Sequence, residues 1–209
     1  MKLNVEGIQD NGVIPEEFAF GVPDPNERMK LGANRNPGIR WSELPEGTRS
    51  LVLICVDPDA PSAADDVNQE GRTVSAELKR VDFYHWLMVD IDPELGGIEE
   101  GSCSDGVTPG GKQTPPGPSG TRQGRNDYTD FLAGDPDMAG DYFGFDGPCP
   151  PWNDEIPHRY RFRLIATDLD KAPVKEGFRG PELEAALSGH VLGEASITAR
   201  YSLNPDVPA

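Results

Sequence analysis

Residues 51 to 56 read Leu-Val-Leu-Ile-Cys-Val, an unbroken apolar run rich in β-branched side chains. A strand with no polar face is buried on both sides and sits in the middle of its sheet. The run is entered through the turn Pro45-Glu46-Gly47-Thr48 and leaves through Asp57-Pro58-Asp59-Ala60-Pro61-Ser62. Two prolines in four residues withhold the N–H groups that a ladder needs, so the strand is predicted to end there.

Two further runs fit the same sheet. Phe83 to Ile91 alternates so that Phe83, His85, Leu87, Val89 and Ile91 are predicted on one face, with Tyr84, Trp86 and Met88 on the other. His158 opens a strand running to Thr167. His158, Tyr160, Phe162 and Leu164 fall on one face, and Arg159, Arg161 and Arg163 on the other. Glu194 to Leu203 reads as a last strand. Glu182 to Ser188, opened by Pro181 and closed by Gly189, is the best helix. Residues 62–80 are polar and acidic and read as a loop. Residues 92–146 are long, irregular and rich in Gly, Pro and Asp, which marks a functional or mobile segment. Within them, residues 99–126 bury little by composition and are predicted among the backbone least protected from exchange.

With 24 Gly and 21 Pro in 209 residues, turns are frequent and a mainly β fold is favoured over a helical one. The length fits one domain, 1–209. The formal charge of −17, from 36 acidic and 19 basic residues, repels nucleic acid and anionic lipid surfaces. Asp outnumbers Glu and Arg outnumbers Lys. Such a surface suits a protein working at high salt, and the alternative of an ordinary acidic cytosolic protein stays open. No apolar run of signal-peptide or membrane-spanning length occurs, so no integral membrane association and a cytoplasmic location are expected. Cys55, Cys103 and Cys149 show neither a disulfide framework nor the paired spacing of a zinc site.

The chemistry concentrates where strands end. Gly147-Pro148-Cys149-Pro150-Pro151 is a stiff loop leading into His158-Arg159-Tyr160. A lone histidine on an apolar stripe is more often a core residue than a ligand. His85, His158, Asp57 and Tyr160 together, all at the edges of buried strands, favour a pocket. Asp59 reads as a turn cap through an Asx hydrogen bond, and His190 as a surface residue. Prolines leave few backbone donors in the loop, those of Gly147 and Cys149 being the candidates. Asp57 would repel a phosphate dianion, yet it can accept a proton from a monoprotonated phosphate or hold a histidine in its donor tautomer. The pocket therefore suits a small oxyanion or a phosphorylated head group, with no cofactor. Two rivals remain. One is a hydrolase using Asp57, Asp59, His85 and His158 as a metal site or an acid/base pair, although Ser62 has no evident base partner. The other is an interaction protein acting on a kinase or protease through its surface.

Taken in order, Asp57-Pro58-Asp59-Ala60-Pro61, His85-Trp86, Gly147-Pro148-Cys149-Pro150-Pro151 and His158-Arg159-Tyr160 resemble the phosphatidylethanolamine-binding protein family, in its bacterial and archaeal Raf-kinase-inhibitor-like branch. Gly124-Arg125-Asn126-Asp127-Tyr128 and Ala199-Arg200-Tyr201-Ser202-Leu203 are similar to that branch too, so the resemblance spans nearly the whole chain. It implies two antiparallel sheets in a Greek-key β-sandwich with a few short peripheral helices. It also implies a small pocket for phosphate, acetate, cacodylate or a phosphoethanolamine head group, hence lipid or anion binding. The ligand-binding residues it implies are Asp57, His85, Gly147, Pro151, His158 and Tyr160. Cys149 stands where eukaryotic members carry a glycine, and the acidic stretch from Asp130 to Asp146 is a further departure. The resemblance implies a cis bond at Ala60–Pro61, and a protein kinase or protease as a partner; a homodimer stays open.

Screening lengths fall from about 10 Å at 0.1 M salt to about 3 Å at 1 M. If the acidic surface is a high-salt adaptation, the melting temperature will rise along a NaCl series, most steeply at the low end. A flat or falling melting temperature would leave it an ordinary solubility feature.

Overall fold

The computed structural model describes residues 1–209. Its strands are β1 (Lys2–Val5), β2 (Gly21–Asp24), β3 (Arg28–Leu31), β4 (Ile39–Ser42), β5 (Ser50–Pro61), β6 (Arg80–Ile91), β7 (Gly97–Ile98), β8 (Arg122–Gln123), β9 (His158–Thr167) and β10 (Val191–Tyr201). The helices are α1 (Tyr128–Phe131) and α2 (Gly180–Ala186), with 3₁₀ turns at Glu16–Phe18 and Pro93–Leu95. All pairings between these strands are antiparallel. A five-stranded sheet runs in the order β10-β9-β5-β6-β8, a three-stranded sheet in the order β1-β4-β7, and β2 pairs with β3. The hairpins β5–β6 and β9–β10 lie side by side, joined by the long crossover between β6 and β9. The mainly β character is what the turn-rich composition favours, and the antiparallel sandwich is what the family resemblance implies.

The run at 51–56 is central and covered on both faces. Leu51, Leu53 and Cys55 join Phe162, Leu164 and Trp86 in a core closed by Val5, Ile39, Trp41 and Ile98 of the smaller sheet. Val52, Ile54 and Val56 pack on the other side against Phe178, Leu183 and Leu187, on and beside α2. At the N-terminus of α2, the Glu182 carboxylate accepts the Arg179 N–H at 3.4 Å. Gly180 lies so close to the Tyr84 ring that a methyl group would overlap it, which seats the helix tightly on the sheet. The helix ends at Ala186, two residues before the expected Ser188.

Three irregular steps in the β5–β6 ladder change what the alternation predicts. Cys55 pairs with Trp86 and Val56 with Tyr84, so His85 is an unmatched extra residue. Leu51 pairs with Ile91 and Leu53 with Met88, leaving a second extra residue on β6, where Asp90 takes a positive φ of 62°. The expected shared face of Phe83, His85, Leu87, Val89 and Ile91 is therefore not formed. Leu87 and Val89 turn to α2, whereas Trp86, Met88 and Ile91 turn to the larger core. The third step lies between Asp57, opposite Phe83, and Ala60, opposite Val81. It lets β5 run past both prolines to Pro61, not stop at Val56. A bulge tolerates a residue without a donor, because its extra residue is unpaired in any case. Ala60–Pro61 is trans, contrary to expectation, since the chain contains no cis peptide bond.

The segment 92–146 is more anchored than its composition suggests. The Asn36 amide receives the N–H groups of Cys103 and Ser104 at 2.8 and 3.0 Å and donates to the Glu99 carbonyl at 3.0 Å. Cys103, Ser104, Asn126, Tyr128, Tyr142 and Asp146 are all buried. The anchor at Asn36 lies outside the segment, so the segment's own composition does not reveal it. No helix is long and apolar enough to cross a membrane.

Leu183 is fully buried and closes the outer face of β5. Leu183→Ala should cost about 2–5 kcal/mol in urea unfolding; a loss below about 1 kcal/mol would show that α2 does not seal the sheet.

Candidate functional site

Two of the irregular steps flank one cavity. The bulge at His85 turns its ring away from Leu87 and Val89, towards Tyr160 on β9, with ring centroids 5.1 Å apart. The bulge after Asp57 leaves that carboxylate on the face of Leu53 and Cys55, the face that β9 presents through His158 and Tyr160. A cavity of about 70 Å³ results. Asp57, His85, His158 and Tyr160 line its floor, Cys149, Pro150 and Pro151 one wall, and Phe83, Tyr128 and Phe131 the other. Of the expected ligand-binding residues, Gly147 alone does not line it, and neither does Asp59 of the rival hydrolase set. Gly147 packs behind the wall, so close to the Phe18 carbonyl that a methyl group would collide with it. Its N–H, expected to be available to an anion, is donated to Asn34 Oδ1 at 2.8 Å.

His158 lies between two carboxylates. Nδ1 donates to Asp57 Oδ2 at 2.6 Å and Nε2 to Asp154 Oδ2 at 3.1 Å. Burial alone would lower its pKa. The Asp57 carboxylate, then the hydrogen bonds to both aspartates, outweigh burial and raise it to about 9. With both nitrogens donating, the ring is an imidazolium. Arg80 closes the network with two hydrogen bonds to Asp154, at 2.6 and 2.9 Å. Two carboxylates and two cations thus cancel beneath the cavity. Asp57 Oδ1 also accepts the Asp59 N–H at 2.7 Å, so Asp57 makes the Asx turn that the sequence suggested for Asp59. Asp59 instead pairs with Arg159, at 2.7 and 2.8 Å, on the outer face.

His85 is the electrostatic opposite. Burial lowers its pKa to about 4, against the pull of Asp57. Its Nδ1–H donates to the Asp146 carbonyl at 2.8 Å, so the neutral ring turns its Nε2 lone pair outward. Asp146 is itself a buried hub. Its carboxylate receives Asn34 and Lys112 at 2.7 Å each and Asn126 at 2.8 Å. Burial nevertheless raises its pKa. The adjoining Gly147 carbonyl accepts the Tyr128 hydroxyl at 2.7 Å, so the dipeptide Asp146-Gly147 fixes two cavity side chains. Cys149 is a thiol here, because its apolar surroundings push it up to about 12. It is accordingly not an activated nucleophile. Asp154, Arg80, Asp146 and Asn34 escaped the sequence reading. Each is a common polar residue in a loop or at a strand end, with partners distant in the chain. Phe83 is visible there only as a member of an apolar run, and Tyr128 only as the end of the Gly124-to-Tyr128 motif.

Comparison with known proteins finds relatives along nearly the whole chain. Residues 4–202 match the family model described as phosphatidylethanolamine-binding protein. A UPF0098 protein of Methanothermobacter thermautotrophicus is 32% identical over 203 residues, covering 96% of this chain and 98% of the relative. The UPF0098 protein YbhB of Escherichia coli is 28% identical, covering 97% of this chain and 100% of the relative. Among solved structures, E. coli YbcL, described as a new member of the mammalian PEBP family, superposes with a TM-score of 0.67 at 26% identity. That match covers 96% of this chain and 97% of YbcL.

The two histidines set opposite pH limits. His158, at about 9 in the fold against about 6.5 unfolded, contributes stability that is complete below pH ~6.5 and is lost as pH rises through ~9. His85, at about 4 in the fold, contributes stability that is complete above pH ~6.5 and is lost as pH falls towards ~4. Imidazole NMR at pH 7.5 should find His158 charged and His85 neutral. A His158 that titrates near 6.5 would show that the two carboxylates do not hold its proton.

Proposed function

The chain belongs to the phosphatidylethanolamine-binding protein family, and from that premise we propose that it binds a small phosphate-bearing head group, as a monoanion or zwitterion, in the cavity floored by Asp57, His85, His158 and Tyr160. The observation that carries this reading is the Tyr160 hydroxyl. The hydroxyls of Tyr128, Tyr142 and Tyr201 each donate to a backbone carbonyl. Tyr160 is 1% exposed and lines the cavity, and its hydroxyl has no partner within the chain. The enclosed polar atoms left unpaired are Arg80 Nε and Arg125 Nε, so the Tyr160 hydroxyl is open to the cavity and available to donate to a ligand acceptor there.

The neighbouring groups select the ligand's charge. Tyr160 donates to a phosphate oxygen, while the lone pair on His85 Nε2 accepts from a P–OH. Asp57 disfavours a dianion, and its own charge is already balanced by His158. A protonated phosphate, or one carrying an ammonium arm, satisfies all of these. Cys149 and Pro151 supply shape, and Gly147 holds the wall in place from behind. Binding is favoured over turnover because the groups suited to catalysis are committed. Both nitrogens of His158 serve carboxylates, which also disfavours it as a metal ligand.

Calorimetry with inorganic phosphate and with O-phosphoethanolamine tests the reading. Saturable binding at one site is expected, stronger at pH 6 than at pH 8, where the dianion prevails. Tyr160→Phe should weaken it about three- to tenfold. Absence of saturable heat, or a Tyr160→Phe variant that binds unchanged, would overturn the assignment.

A further inference from the structure

The cavity floor is polar, but its mouth is not. Phe131, at the end of α1, is 48% exposed although it lines the cavity. It meets Phe83 edge-on at 6.2 Å and Tyr128 at 6.3 Å. Phe83 in turn lies 4.9 Å from the His85 ring. A continuous path of rings therefore leads from the floor to the surface. The facing wall is Pro61, Pro150 and Pro151, whose side chains are rigid and apolar and whose nitrogens carry no hydrogen. Val81, 40% exposed, is paired with Ala60 at the same rim.

Phe131 is not exposed through looseness of its helix. The Tyr84 N–H donates to Asp127 Oδ2 at 2.7 Å, ahead of the first turn of α1. Tyr128 is tied to Gly147, and Arg179 holds Asp130 at 2.7 Å. An anchored helix thus presents a large apolar ring to solvent beside a polar cavity. The cavity, at about 70 Å³, counts Phe83, Phe131, Pro61 and Pro151 in its own lining, so the substituent of a phosphate ester held on the polar floor would lie against these rings and prolines.

We propose that the slot between Phe131 and Phe83 on one side and Pro61 and Pro151 on the other is a second subsite, which takes the apolar part of the same ligand. The inference rests on the head-group reading above and narrows it to phosphomonoesters of small aromatic or short alkyl alcohols. A free, soluble ester is the occupant. A chain with a formal charge of −17 is repelled by anionic bilayers.

The test compares inorganic phosphate, O-phosphoethanolamine and phenyl phosphate by calorimetry on the full chain, as wild type, Phe131→Ala and Phe131→Leu. Sedimentation with phosphatidylethanolamine/phosphatidylglycerol vesicles forms a further arm. Phenyl phosphate should bind wild type about tenfold tighter than inorganic phosphate, as an aromatic contact plus buried apolar area implies. Phe131→Ala should remove most of that advantage and Phe131→Leu restore part of it, read in each variant as the ratio of phenyl phosphate to inorganic phosphate affinity. The vesicles should not sediment the protein. If phosphate binds but phenyl phosphate gains nothing, or Phe131→Ala keeps the gain, this inference falls and the head-group reading stands. If the protein sediments with vesicles and phenyl phosphate does not release it, the occupant is a bilayer lipid and the proposal is overturned. If no phosphate compound binds, the head-group reading itself has failed.

Discussion

An antiparallel pair can keep strict alternation or place His85, Asp57 and Tyr160 around one space, but not both. The β5–β6 ladder gives up alternation. Its irregular steps at His85 and beyond Asp57 rotate side chains out of the positions that a regular pleat would assign. The surrounding strands stay regular enough to hold them there. Along the paired length of β9, its register against β5 is unbroken from Ser50 to Val56, so the irregularity is confined to one side of the central strand. Bulges cost ladder hydrogen bonds but re-aim individual residues, and here the re-aimed residues line the cavity.

Charge is arranged in two layers. The exterior carries the excess of carboxylates. Beneath the cavity, Asp57, His158, Asp154 and Arg80 cancel in an alternating chain with buried members, so the interior does not share the exterior's field. Removing one member would strand a buried charge, which costs more than the assembled network contributes. His85, in the same cavity, is kept neutral by burial, against the pull of Asp57 and of its carbonyl acceptor. The same residue type thus serves as cation and as lone-pair donor within one cavity, and the difference comes from what each Nδ1 faces: a carboxylate for His158 and a peptide carbonyl for His85.

Much of this was legible in the sequence wherever a signal is local. The central strand was readable because Leu51 to Val56 leaves no alternative to burial. The parity of His158, Tyr160, Phe162 and Leu164 was readable because β9 is regular. The family resemblance pointed to the same loops. What escaped depended on pairing across the chain. A bulge is a property of two strands, so no inspection of Phe83 to Ile91 alone could show that His85 leaves its stripe. The prolines at 58 and 61 looked terminal because the step that accommodates them lies in the register with β6. Asp146, Asn34 and Asn126 meet only after folding, and Gly147 exchanged its expected donor role for a packing role through that meeting.

The buried Lys112–Asp146 pair, with the lysine only 11% exposed and the carboxylate fully enclosed, limits how this protein can be recombined. Residues 99–121 look like an exchangeable surface excursion, open to replacement by the equivalent span of a relative. They nonetheless deliver the one ammonium group that sits against a carboxylate deep behind the cavity wall. A chimera lacking a cation at that position would inherit an unpaired buried charge. The inserted span and residue 146 must therefore be transplanted together, as one heritable unit divided between two distant parts of the chain.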